Sequence, residues 1–147
     1  MEIADDGVVS FNSGISASGN VKSTIKTRVG DITSSTDADY KMGDIAYFGS
    51  TTSMDAGKIY YYNSSGNWAL IDADAASTST GMIGVALGAA SNTNGVLLRG
   101  FVTLDHDPGS VGNTLFLSTT AGTATATAPS GSGDIVRVIG YCLHASN

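Results

Sequence analysis

Gly81-Met82-Ile83-Gly84-Val85-Ala86-Leu87-Gly88 sets a glycine inside an apolar, β-prone run, and Val138-Ile139-Gly140-Tyr141-Cys142-Leu143 repeats its middle near the end of the sequence. The offset from Gly84 to Gly140 is 56 residues, and the same offset carries Ile83 onto Ile139 and Leu87 onto Leu143. A glycine kept inside two otherwise apolar strands marks a bulge, a corner, or a place where another backbone comes close.

Working outward from this stretch, the offset keeps its sense. Ile45-Ala46-Tyr47-Phe48 reads as a first strand, and Arg99 to Leu104, extended backwards by Val96-Leu97-Leu98, lies one offset later. Lys58 to Tyr62 and Trp68 to Ile71 bracket Asn63-Ser64-Ser65-Gly66-Asn67, a polar turn carrying glycine, which predicts a β-hairpin. Thr114 to Leu117, Gly122 and Thr123 to Ala128 take the corresponding places in the second half. Asp72 to Thr80 reads as a polar connection. Apolar runs, turns and internal glycines that keep one offset are what a duplicated unit requires. The expected fold is all-β: an antiparallel β-barrel or β-sandwich of about eight strands from two related four-strand units, preceded by an extended N-terminal arm.

Composition agrees with that class. The 147 residues suit one domain with an appended arm, and charged residues are 14%, against roughly 25% in ordinary soluble domains. Nineteen glycines with two prolines favour short strands and turns. Seven Lys and Arg against thirteen Asp and Glu leave a net charge of -6, which disfavours attraction to a nucleic-acid backbone, so no nucleic-acid partner is expected. Cys142 is the only cysteine, which rules out an intrachain disulfide and a thiolate-rich metal site; between Tyr141 and Leu143 it reads as a buried hydrophobe. The opening Met1-Glu2-Ile3-Ala4-Asp5-Asp6 is acidic where a secretory signal is basic and then apolar. The apolar runs fall short of the ~20 residues of a membrane span. The expectation is a chain made in a cytoplasm, with no membrane partner.

Residues 1–41 differ from 42–147 and are read as arm and linker, the remainder as the β domain. Val8-Val9-Ser10-Phe11 and Ile15-Ser16-Ala17 are short β-like pieces between polar turns. Val21, Ile25 and Val29 recur every four residues, yet Ser23, Thr24 and Thr27 are poor helix formers, so extended chain is expected. Lys22, Lys26 and Arg28 carry three of the seven basic charges, either as a solvated face or as contacts to an acidic neighbour. A segment with so few core-forming residues gains order by packing on a partner. Val8, Val9, Phe11, Ile15, Val21, Lys22, Ile25, Lys26 and Arg28 are therefore the candidate contacts of this chain to a neighbouring subunit or partner.

The sequence offers little chemistry. Asp105-His106-Asp107 invites a metal or a general base, but on a strand the two aspartates point away from the histidine, and Pro108-Gly109 places the group in an exposed turn. Neither a nucleophile elbow, a phosphate-binding loop, a His-Glu-x-x-His motif nor a calcium loop occurs, and Glu2 is the only glutamate. No enzyme activity, metal or cofactor is expected. Among the aromatics, Tyr60, Tyr62 and Trp68 flank the hairpin, and alternation sets Tyr60 and Tyr62 on the face opposite Tyr61. These three form either core and interface or an exposed aromatic patch suited to sugar or protein.

The run Gly57 to Tyr62 with Trp68, then Gly81 to Leu87, Val96 to Val102, Gly112 to Ser118 and Val138 to Tyr141, resembles the small β domains of tailed-bacteriophage virion proteins. The resemblance spans residues 43–144 and is to capsid decoration (cement) proteins and related fibre modules. It implies a homotrimer on the outside of the head or tail, in contact with the major capsid protein or other virion proteins, with no catalytic residues. The first expectation is a decoration protein on the capsid exterior whose arm reaches across neighbouring capsid subunits. The alternative is a tail or head fibre module that binds a receptor or carbohydrate, a reading that Ser13 to Val21 also suits.

Overall fold

The computed structural model describes residues 2–3, 9–10 and 41–144. The chain divides into two units, Met1–Asp31 and Ile32–Asn147, each described by itself. In the first, β1 (Glu2–Ile3) and β2 (Val9–Ser10) pair antiparallel, with Glu2 opposite Ser10 and Ile3 opposite Val9.

The described residues of the second unit form eight strands: β3 (Lys41–Ala46), β4 (Ile59–Tyr62), β5 (Trp68–Leu70), β6 (Ile83–Ala86), β7 (Val96–Val102), β8 (Thr114–Leu117), β9 (Ala124–Thr125) and β10 (Val138–Tyr141). They form two antiparallel sheets, one ordered β3-β7-β6-β4-β5 and one ordered β10-β8-β9. The fold is all-β. The expected polar connection between β5 and β6 contains a single helical turn, α1 (Ala76–Ser79). Asp72 holds it by accepting the Thr78 hydroxyl at 2.7 Å, and the Ser79 and Thr80 hydroxyls donate back to the Ala75 and Ala76 carbonyls.

Among the described residues no closed barrel forms. Closure needs a continuous ladder around the ring, whereas β5 and β9 are three and two residues long. Separate backbone bonds join the sheets on that side instead: Ile59 N–H to Gly122 O, Gly122 N–H to Ile71 O, and Ala73 N–H to Ser118 O.

The hairpin turns repay their composition. Asn63 Oδ1 accepts from the Ser65 and Asn67 N–H groups, both at 3.0 Å, and Gly66 takes a φ of 76°, a left-handed conformation open to glycine. The β8–β9 turn, residues 118–123, is one residue longer than the β4–β5 turn at 63–67. The two strand triples β6-β4-β5 and β10-β8-β9 share one order and one bonding pattern. Ala86 donates its N–H to Lys58 O and accepts from Gly57 N–H; Cys142 does the same with Asn113 O and Gly112 N–H. Ala86 and Cys142 are 56 residues apart, but Gly57 and Gly112 are 55 apart, so the offset shifts by one within the loops. A β-bulge between Val138 and Gly140 takes up a residue in β10.

Two apolar clusters follow from the pleat. Ile59 and Tyr60 point to opposite faces of β4 and are both buried. Ile59 joins Ile71, Ala73, Leu115, Leu117, Ala124 and Cys142, a cluster drawn from both sheets. Tyr60 joins Met54, Trp68, Ala86 and Val96, with Phe48 and Tyr62 packed against them. Cys142 is a buried thiol.

Candidate interaction surface

Of the arm residues expected to make contacts, Val9 lies in β2. Val8, Phe11, Ile15, Val21, Lys22, Ile25, Lys26 and Arg28 lie outside the described residues.

Tyr60, Tyr62 and Trp68 do not form an exposed patch. Tyr60 and Trp68 are buried and Tyr62 is half-buried. Phe48, Tyr62 and Trp68 meet as a triad, with ring centroids 4.9, 5.3 and 5.2 Å apart. Trp68 Nε1 donates to Phe48 O at 3.2 Å, and the Trp68 backbone N–H donates to Thr51 Oγ1 at 2.9 Å. The physical reason is the segment from Phe48 to Met54, which folds over the face of β4 and β5 that hairpin periodicity leaves open. The alternation of Tyr60 and Tyr62 against Tyr61 holds, but both faces are covered. Tyr60, Tyr62 and Trp68 therefore offer no exposed aromatic surface.

The Tyr60 hydroxyl accepts the Asp55 N–H at 2.9 Å. Burial pushes the phenol above its ordinary value of 10.0; the Asp55 N–H, which steadies a phenolate, works against that rise, and the charges of Asp55 and Asp105 add to it. In the unfolded chain the phenol ionises near its ordinary value, while in the folded chain it keeps its proton to higher pH. Its contribution to stability is complete below about pH 10 and is lost as pH rises through the folded-state value. Tyr60→Phe is expected to lower stability by about 1 kcal/mol at neutral pH and to flatten the alkaline decline. Urea unfolding at neutral and alkaline pH checks both, and parallel pH curves for the two proteins would contradict the assignment.

His106 is not an exposed turn residue. Its side chain is 22% exposed, and both ring nitrogens are engaged. Nε2 accepts the Ala124 N–H at 2.9 Å, so the neutral ring donates from Nδ1 to Asp105 Oδ1 at 2.7 Å. Lys58 Nζ stands 4.0 Å from the other Asp105 oxygen. The histidine thus clips the loop after β7 to β9, and neither nitrogen is free to act as a base. Among the described residues no group of three His, Cys, Asp or Glu side chains could hold a metal ion, and no helix is long and apolar enough to cross a membrane.

Several large apolar side chains are exposed along β10 and its flanks. Val136, Val138, Tyr141 and Leu143 are 57%, 52%, 67% and 55% exposed. Between them, Arg137 ties the strand inward by donating to Ser79 O at 2.8 Å and Gly81 O at 3.3 Å. Compared with protein-family models, curated proteins and solved structures, the chain has no match.

The β10 surface was not legible in the sequence. Val138 to Leu143 has the composition of a core strand, and only the sheet order makes β10 the outer strand among those described.

Proposed function

We propose that this protein is a structural protein of a tailed-bacteriophage virion: a capsid decoration (cement) protein that binds the outer head surface as a homotrimer and stabilises contacts between capsid subunits. It is made in the host bacterial cytoplasm and ends on the capsid exterior, and its partners are copies of itself and the major capsid protein rather than nucleic acid or membrane. The observation that carries the reading is the surface along β10, where Val136, Val138, Tyr141 and Leu143 are apolar and exposed, as in a module that works by assembly. The strand-and-glycine resemblance over residues 43–144 supplies the kind of assembly.

The scaffold is a β-sandwich of two related four-strand units. The shared strand order and the matched backbone bonds of Ala86 and Cys142 support the duplication. The cluster drawn from both sheets supports the sandwich.

In this reading the arm adds contacts across a seam between capsid subunits, and three weak arms on one trimer reinforce one another through effective concentration. Changing Val8, Phe11 and Ile15 together to serine in the full chain is expected to weaken binding to emptied heads about tenfold or more, with the domain's own thermal midpoint unchanged. Equal head binding, with equal protection of the heads against heat, would defeat the proposal.

A further inference from the structure

β9 is the outer described strand of the sheet β10-β8-β9, and the His106 side chain bonds to its backbone from the side away from β8. Leu117 is opposite Ala124 in the β8–β9 ladder, yet the Leu117 N–H goes to Arg137 O on the β10 side. The two residues therefore exchange no backbone bonds, and the Ala124 N–H faces away from β8. His106 Nε2 accepts it at 2.9 Å. Ala124 is 5% exposed, and a buried donor left without an acceptor is costly, so this N–H depends on the histidine.

The acceptor is a titratable one. A backbone N–H only donates, so Nε2 carries a lone pair and the ring proton sits on Nδ1, directed at Asp105 Oδ1 at 2.7 Å. A second proton can enter only at Nε2, where it meets the Ala124 N–H donor to donor. Asp105 lies against Nδ1 and attracts the charged ring; Lys58, just before β4, stands 4.0 Å from the other Asp105 oxygen and moderates that attraction. Asp107 Oδ1 is turned back to the Gly109 N–H. Asp72, on the segment bonded to the turn before β9, is turned to the Thr78 hydroxyl and the Asp74 N–H. Tyr60, whose hydroxyl senses the Asp105 charge, stays neutral throughout the histidine range. Residues 114–125, which form β8, β9 and the turn between them, hold no titratable group.

We propose that His106 is a pH-sensitive cap on β9: the neutral ring bridges Asp105 and the Ala124 N–H, and the protonated ring keeps Asp105 and releases β9. Acid does not free the histidine, because the carboxylate holds its charged form; it changes which bond is kept. The loop between β7 and β8 then loses this tie to β9. The strand is left with an unsatisfied outer N–H, the kind of edge that takes up another strand. The cap works where histidine changes charge, between about pH 5 and 8. It goes beyond the virion reading and does not depend on it.

Nuclear magnetic resonance on the full chain tests this by following the His106 ring together with backbone amide exchange. From about pH 8 to about pH 5, protection of the Ala124 amide, corrected for the intrinsic pH dependence of exchange, is expected to fall with the midpoint of the ring titration. The expected fall is about tenfold, the effect of one hydrogen bond. The Leu117 amide, fully buried and bonded on the other side of β8, is expected to keep its protection. In His106→Gln an amide oxygen that does not titrate can take the place of Nε2, and the fall is expected to vanish. The cap is overturned by Ala124 protection that stays level while the ring titrates, or by a ring that takes up no proton before the protein unfolds. A fall shared by Leu117, or one that survives in His106→Gln, overturns it equally.

Discussion

Trp68→Ala is expected to lower the unfolding free energy by about 3–5 kcal/mol, the range for emptying a large aromatic site in a packed core. Trp68 is 3% exposed, and its ring packs against both Phe48 and Tyr62. Truncation removes both ring contacts and leaves Phe48 O without the indole N–H it accepts at 3.2 Å. It also loosens the segment from Phe48 to Met54, whose Thr51 hydroxyl is bonded to the Trp68 backbone. Because domains of this size are held by only about 5–15 kcal/mol, the loss is a large share of the whole. Trp68→Phe separates the two parts: it keeps a ring and loses the N–H, at about 1–2 kcal/mol. Urea unfolding followed by circular dichroism reads both, since Trp68 is the only tryptophan and cannot serve as the probe of its own removal. A Trp68→Ala midpoint equal to wild type would mean that the triad does not hold the segment in place.

Gly84→Val is expected to destabilise the domain by about 3 kcal/mol or more, the upper part of the range for forcing bulk into a packed site. The new Cβ would sit 2.5 Å from the Val96 side chain and 2.9 Å from the Leu97 carbonyl oxygen. Val96 is fully buried and the carbonyl is backbone, so neither can move without parting β6 from β7. Among the described residues a Cβ on Gly140 meets nothing within 4 Å. The same change should thus cost stability at Gly84 and leave the described packing around Gly140 intact. Thermal unfolding of the Gly84 variant decides its half: a midpoint within a degree or two of wild type would remove the close approach of β7 as the reason for the glycine.

Several elements were readable because their causes are local. The hairpin through Asn63 to Asn67 needs a polar turn and a glycine between two β-prone runs, and all of these are adjacent in sequence. Thr114-Leu115-Phe116-Leu117 forms a strand with the expected ends. β3 shows the limit. The apolar run Ile45 to Phe48 was the expected strand, but the ladder runs from Lys41 to Ala46. Lys41-Met42-Gly43-Asp44 has no alternation to announce a strand. It is extended because β7 lies beside it, with Gly43 opposite Gly100 so closely that a Cβ on Gly43 would run into the Arg99 carbonyl. His106 is a similar case: its neighbours in sequence suggest a turn, and its partner at Ala124 is 18 residues away.

By itself the sequence determined the class of the fold, the places of most strands and turns, and the echo of Gly84 at Gly140, because periodicity and turn chemistry are properties of neighbouring residues. Tertiary structure alone decided which faces those strands bury. It covered Tyr60 and Trp68 with the segment after β3, set β10 outermost among the described strands of its sheet, and gave Gly84 and Gly140 different surroundings. Burial depends on what a distant part of the chain lays against a strand, and a strand sequence carries the same pattern whether that neighbour is present or absent.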